Sequence, residues 1–471
     1  MKRLLFFFLI ILILSKVLVI TGCANIIPPT GGPRDSVPPV LVKAVPDNYT
    51  VHFKTDHIVL TFDEYLDLKN VREDLVVSPF PKSDPTVDFK LKTVTIKLKD
   101  SLQPNTTYAL NFGKSIRDNN EGNILKNFTY VFSTGPYIDS LQYSGKVILA
   151  STGKADSTLI VILHKKMEDD STVAKKRPRY FAHVDTGGNF IFHYLEPGTY
   201  SIFALKDEGG QKKYTSKNQL FAFADSPIVV GENYKPITLY AYADTTGMAK
   251  PPKKTSSKTP AKKPEKEKEK RLIVQLNLNN GQLGLLDTFR FQFQVPLKFF
   301  DSSQVRFTDE KFNDIKQFHY IQDTNRKKIT LMYNWTPDTK YHLIATKEFA
   351  EDTAGDRLLK IDTVSFQTKR ESDYGSLRLR FANLDLTKNP VLEFIQNDII
   401  KLSYPFGSSH TFYKKIFEPG DYELRILYDD NKNGVWDPGD YYSHRQPEKV
   451  FPVRKKLTVK SNWDNEIDIT L

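Results

Sequence analysis

The chain repeats itself, and the repeat decides its architecture. The segment LQPNTTYALNF at 102–112 returns as WTPDTKYHLIA at 335–345, with Pro104 answering Pro337 and Tyr108 answering Tyr341. Asp118 with Gly122 answers Asp352 with Gly355, and Phe132-Ser133-Thr134 answers Phe366-Gln367-Thr368, all at an offset of 233–234. A second pair lies between these copies. LEPGTYSIFALKD at 195–207 matches FEPGDYELRILYD at 417–429 at a constant offset of 222. Interleaved repeats of this kind make the chain an A–B–A–B array. A length of 471 residues favours about three domains. The repeats give four, and self-similarity outweighs a length prior.

The modules read as β-structure. Val94, Ile96 and Leu98 alternate with Thr and Lys, as do Tyr108, Leu110 and Phe112 with Ala and Asn, and Phe128, Tyr130 and Phe132 with Thr and Val. A period of two marks strands with one face buried. Aromatics make up 12% of the residues while Met numbers 4, a balance that favours sheet. Turn clusters such as Pro104-Asn105 and Asp118-Asn119-Asn120 separate the runs. About 100 residues of short strands with regular turns make a β-sandwich. The expected fold is all-β: tandem β-sandwiches in two kinds of module.

The net charge of +11 does not point to nucleic acid. Residues 247–271 carry nine Lys and one Arg against three Glu, and Lys2, Arg3 and Lys16 lie in a segment expected to be removed. What remains is close to neutral, so no module carries the basic face that phosphate binding needs. At the N-terminus, Lys2-Arg3 precedes an apolar run from Leu4 to Leu14, too short to cross a bilayer and right for an export signal. Val19-Ile20-Thr21-Gly22-Cys23 then resembles a bacterial lipobox, with Cys23 as the lipidated residue. Lys16 is an unusual charge for that position, and an ordinary signal peptide with a chance Cys is the plainer alternative. Cys23 is the single Cys of the chain. It can form no internal disulfide, and lipidation gives it a role. The Pro- and Gly-rich stretch that follows reads as a stiff tether.

The resulting plan is a lipoprotein signal peptide at 1–22, a tether at 23–36, sandwiches at 37–135, 136–246, 271–369 and 370–471, and a disordered Lys/Pro/Glu linker at 247–270. The A modules resemble the bacterial Ig-like domain first described in S-layer proteins. Asp35 to Pro39, Leu60-Thr61-Phe62-Asp63-Glu64, Leu102 to Tyr108 and Ile116-Arg117-Asp118 through Thr134 carry that resemblance. In 271–369 the first two elements have decayed. The B modules resemble the transthyretin-like or Cna-B-like sandwich through Phe190, Phe192, Leu195, Pro197, Gly198, Tyr200 and Asp207, answered by Phe412, Phe417, Pro419, Gly420, Tyr422 and Asp429. The whole plan is similar to a group of Ig-like lipoproteins of Gram-negative envelopes. That resemblance informs architecture more than mechanism.

A search for chemistry returns little. The nine His show no HExxH spacing, and there is no G-x-S-x-G elbow. Gly113-Lys114-Ser115 lacks the earlier Gly of a phosphate loop, since Tyr108 occupies that place. Asp63 and Glu64, read as strand neighbours, would point to opposite faces. Gly407-Ser408-Ser409-His410 reads as a turn. Phe289, Phe291 and Phe293 share one strand face, as a sandwich core or as a sugar-stacking platform, and the core is the simpler reading. The basic linker reads as a solvated spacer, or alternatively as an electrostatic contact to anionic envelope polymers or headgroups.

One loop has the spacing of a metal site. Residues 429–440 read DDNKNGVWDPGD, with Asp429, Asn431, Asn433, the Val435 carbonyl, Asp437 and Asp440 at the EF-hand ligand positions and Gly434 at the turn. Hard oxygens in that number suit Ca²⁺, as one weak site and the only cofactor expected. The alternative is an Asn-Gly turn held by Asx hydrogen bonds, with no metal. The first B module lacks the Asn ligands, reading Glu208-Gly209-Gly210 after Asp207.

Taken together, the sequence describes a non-catalytic scaffold or binding protein, lipid-anchored in the cell envelope, with the outer membrane expected. Its partners would be the membrane through the N-terminal lipid and an envelope protein complex or cell-wall polymer. The rivals are a polysaccharide- or peptidoglycan-binding adhesin and, behind it, an envelope hydrolase.

Overall fold

Alternating side chains need two sheets to bury their apolar faces, and each module supplies two. In a computed structural model, which describes residues 34–165, 167, 169–244 and 271–471, almost every regular element is a strand. The signal segment, Cys23, most of the tether and the whole basic linker lie outside the described residues. Among the described residues, no helix is long and apolar enough to cross a membrane.

The first A module orders Leu41–Val45, His57–Phe62, Thr93–Lys97 and Thr86–Lys90 in one sheet, and Val76–Ser78, Thr107–Asn111 and Thr129–Ser133 in the other. Ile58, Leu60 and Phe62 meet Leu110, Phe112, Tyr130 and Phe132 in its core. Asp63 and Glu64 fall just past the strand His57–Phe62, so strand alternation does not govern them. The second A module keeps the same plan despite its decayed sequence. Val274–Leu276, Phe289–Phe293, Lys328–Met332 and His319–Gln322 form one sheet. Gln282–Leu283, Asp362–Thr368, Lys340–Ala345 and Val305–Asp309 form the other. Phe289, Phe291 and Phe293 are all buried in its core, which leaves no stacking platform there.

Each B module pairs a three-stranded sheet with a five-stranded one. In the first, Leu141–Leu149 is flanked by Asn189–Leu195 (antiparallel) and Ile237–Ala241 (parallel). In the second, Gly375–Ala382 is flanked in the same way by Thr411–Phe417 and Asp464–Thr470. The repeated motifs make repeated bonds. The Tyr200 hydroxyl donates to the Glu196 carbonyl at 3.0 Å, and Tyr422 donates to Glu418 at 3.0 Å. Tyr108 pairs across the sheet with Phe132, and Tyr341 with Phe366. Asp118, buried in the first A module, accepts the N–H groups of Glu121, Gly122 and Asn123 at 2.6, 3.0 and 2.6 Å. Burial pushes its carboxyl up, but these backbone donors outweigh it and hold the group below the usual range. Asp352 repeats the device with Ala354 and Asp356 at 2.9 and 3.0 Å.

Candidate functional site: the 429–448 loop and its socket

In the second B module the strand Gly420–Tyr428 ends at Tyr428, and the chain leaves the sheet until Lys449. Asp429, 2% exposed, starts the excursion. Its Oδ1 accepts the N–H of Asn433 at 3.2 Å and its Oδ2 that of Gly434 at 2.6 Å. Gly434 has φ +79°, a left-handed turn that suits glycine. The side-chain carbonyl of Asn431 accepts the N–H of Asn433 at 3.0 Å, and that of Asn433 accepts the N–H of Val435 at 2.8 Å. Both amide groups donate to Asp437 Oδ2, at 2.6 and 2.7 Å.

Asp440 does not join this group. Its Oδ1 accepts the N–H of Tyr442 at 3.1 Å, and its Oδ2 lies 3.7 Å from Lys217 Nζ of the first B module. Glu448 comes in instead, accepting the N–H groups of Asp430 and Asp437, both at 2.9 Å. Burial raises the Glu448 carboxyl, and the nearby Asp429 and Asp437 charges add to this, while its two N–H donors oppose it. Spacing alone gave no sign of Glu448, because it reaches back from the start of the next strand.

Of the six positions with metal-ligand spacing, the fold therefore gathers Asp429, Asn431, Asn433 and Asp437. Asp440 is turned to another module. The gathered donors are hard oxygens, of the kind calcium takes. Here they are engaged by the N–H groups of the turn. Among the described residues no group of three or more His, Cys, Asp or Glu is disposed to hold a metal ion.

The other side of the loop is a plug. Tyr441, 4% exposed, enters a socket on the first B module. Its ring centroid lies 5.6 Å from Phe203, 6.2 Å from Tyr214, 5.2 Å from Phe221 and 5.3 Å from Phe223, edge to face in each case. Such geometry suits the opposite charges of ring edges and faces. Gln446 Nε2 donates to the Phe223 carbonyl at 3.1 Å and to Asp225 at 2.7 Å, and the Val450 N–H donates to the Ala150 carbonyl at 2.9 Å. Gly439 lies so close to Tyr242 that a Cβ would stand 2.8 Å from the ring. Trp436 donates to the Glu448 carbonyl at 2.8 Å and packs against both the socket and the Val391, Leu427 and Val450 cluster. One loop thus joins the carboxylate network to the seal between two modules.

The socket left a trace in the sequence that periodicity does not decode. Leu159–His164 reads LIVILH and is buried at every position. A strand apolar on both faces has something packed on each. One face meets its own sandwich core, and the other, with Ile160 and Ile162, joins the cluster that receives Tyr441.

A comparison with curated proteins finds no match. Among solved structures, the native α-2-macroglobulin of Escherichia coli (domains MG0-NIE-MG1) is 14% identical at a TM-score of 0.20, over 39% of this chain and 72% of that one. The major pilin subunit BcpA of Bacillus cereus is 8% identical at 0.17, over 70% and 98%. The N-terminal part of the bacterial S-layer protein SbsC is 16% identical at 0.16, over 44% and 44%. Overlap at this level carries no functional argument. Residues 35–134 do match a family model, and the sandwich they build is the one that model describes: the first module is a bacterial Ig-like domain.

Proposed function

We propose that this chain is a non-catalytic scaffold of the cell envelope, held to a membrane by a lipid on Cys23 and serving as an accessory subunit of an outer-membrane protein complex. The observation that carries this reading is the plug. Sandwiches on loose joints merely span distance, whereas Tyr441 and Gln446 fix the second B module against the first. Fixed modules hold their edges and loops at set positions, as a docking platform requires. The Ig-like first module agrees with an envelope setting.

Affinity purification of the full chain after mild detergent extraction tests this role. Envelope proteins recovered in stoichiometric amount are the expected result, and the chain recovered alone overturns it. The anchor is tested separately. Cys23→Ala should leave the precursor uncleaved at the lipobox, and a mature-sized variant that still partitions into detergent would remove the lipid from the proposal. A second reading, a polysaccharide-binding adhesin, is favoured by one observation: a groove between the first two modules with lysine, threonine and apolar side chains in its lining.

A further inference from the structure

The first A and B modules touch at several places, and two of these contacts flank a groove. At one, the Phe80 N–H donates to the Arg179 carbonyl at 2.6 Å, and the Phe80 ring meets Phe181 edge-on at 5.2 Å. Arg177 reinforces this contact by donating to the carbonyls of Pro81 and Lys82 at 3.3 and 2.9 Å. At the other, the hydroxyls of Tyr49 and Tyr194 share a hydrogen bond of 3.0 Å. The groove between has a volume of about 1250 Å³, and its lining runs from Ser78 and Phe181, beside the first contact, to Tyr194 at the second. Clefts between domains are favoured places for ligands.

The groove's charges are distributed unevenly in their availability. Lys114 lines it from the A module and Lys146 from the B module. Among the described residues neither is in a salt bridge. Gly113 makes the position of Lys114 possible: its φ is +55°, and a Cβ there would stand 2.9 Å from the Asp74 carbonyl. Two carboxylates, Asp74 and Asp185, also line the groove, and among the described residues neither is paired with these lysines. Asp185 accepts the N–H groups of Gly187 and Asn189 at 2.8 and 2.7 Å, and Asp74 faces His183. Partial desolvation in the groove lowers His183 and His193 from the usual imidazole range, with Lys212 also lowering His183 while Asp74 and the Glu73 backbone act the other way. Lys114 and Lys146 are thus lysines of the lining with no carboxylate partner among the described residues.

The duplicate supplies an internal comparison. Gly145 pairs with Phe190 in the first B module, and Leu379 with Phe412 in the second, so Arg380 stands where Lys146 does. Arg380 is tied to Glu466 and Asp468. One copy neutralises this cation with its own carboxylates, and the other leaves it available.

We propose that the groove binds an acidic polysaccharide, a sugar chain bearing carboxylate or phosphate groups. This deepens the adhesin reading and does not depend on the lipid at Cys23. A lysine on each wall takes the anionic groups as charge-assisted hydrogen bonds. The hydroxyls of Thr186 and Thr238 suit sugar hydroxyls, and the exposed Ile191 suits the apolar C–H face of a pyranose ring.

The test is titration calorimetry of the full chain in mild detergent with polygalacturonate, a phosphorylated mannan, neutral dextran and poly-glutamate as probes. The expected result is binding of one or both acidic polysaccharides, little or none of dextran, and a loss of at least about tenfold in the Lys114→Ala, Lys146→Ala double variant. Which acidic probe binds tells carboxylate from phosphate recognition. Both lysines are side chains at the groove surface, so the variant should keep the parent melting temperature, and a Lys114→Arg, Lys146→Arg chain should retain binding. Poly-glutamate bound as well as the sugars through the same lysines would make this a peptide site and overturn the proposal. Absence of binding, or binding indifferent to both lysines, would overturn it as well. The Cys23→Ala chain should bind equally, which separates this result from the fate of the anchor.

Discussion

His164 shows how one buried residue sets a pH limit. It is the last residue of Leu159–His164, 4% exposed, with Nε2 unpartnered among the described residues and its ring edge-on to Phe203 at 6.1 Å. Burial alone drives its pKa down to about 4. The unfolded chain takes up this proton near pH 6.5 and the folded one only near 4, so stability falls as pH falls through that window. The loss reaches up to about 3 kcal/mol at the lower end. His164→Leu removes the titrating group, and thermal unfolding between pH 7 and 4 should show a flatter slope than the parent. An unchanged slope would mean that His164 is not what the acid attacks. Residues of this sort were only partly legible in the sequence. The repeated tyrosines were legible because their partners are local: Tyr108 accepts from Gln103 at 2.8 Å, and Tyr341 from Thr336 at 3.3 Å, each five positions away. His164 read as one of nine scattered histidines, because its burial depends on chain far from it.

The 429–448 loop was half legible for the same reason. Its Asn-Gly spacing announced a tight turn, and the turn is there, closed by Asp429 on Gly434. Glu448 and Tyr441 act on partners that no short pattern contains. Glu448 offers both oxygens to backbone N–H groups, and an amide could present one acceptor only. Glu448→Gln is therefore expected to cost about 1 kcal/mol, measured by chemical denaturation, because a half-buried N–H loses its partner. The calcium proposal also becomes more specific. A cation among Asp429, Asn431, Asn433 and Asp437 would have to displace the N–H groups that now engage these oxygens, and Asp440, which faces Lys217, would not be among its ligands. Millimolar calcium should raise the melting temperature of the full chain. Asp429→Ala should abolish the rise, and Asp440→Asn should keep it relative to its own baseline. No shift in the parent at several millimolar would reduce the loop to a hydrogen-bonded turn.

At the scale of the whole molecule, the contact that matters joins modules far apart in the chain. The sequence made four sandwiches legible through its repeats, but an A–B–A–B string says nothing about how the string folds back. That information lies in the difference between duplicates. The first B module has an apolar outer face at Ile160, Ile162, Phe203 and Phe221, and the second carries Tyr441 on a longer excursion, 429–448 against 207–220 in the first. One copy became the socket and the other the plug. Burying a tyrosine among four aromatic rings commonly makes such a residue dominate an interface, so Tyr441→Ala should cost about 2–4 kcal/mol of docking. Docking within one chain is helped by an effective concentration of about millimolar for flexible linkage, and a loss of that size weakens it by a factor of about 30 to 1000. The parent is expected to unfold its two B modules in a single calorimetric transition, and Tyr441→Ala to split it. Small-angle scattering should show a larger radius of gyration for the variant, while strand content by circular dichroism stays the same, because Tyr441 fills the socket and no sandwich core of its own module. A variant that stays as compact as the parent, with one transition, would show that the remaining contacts, among them the Val450 and Gln446 bonds and the Lys154–Glu423 and His444–Asp170 pairs, hold the modules without the plug.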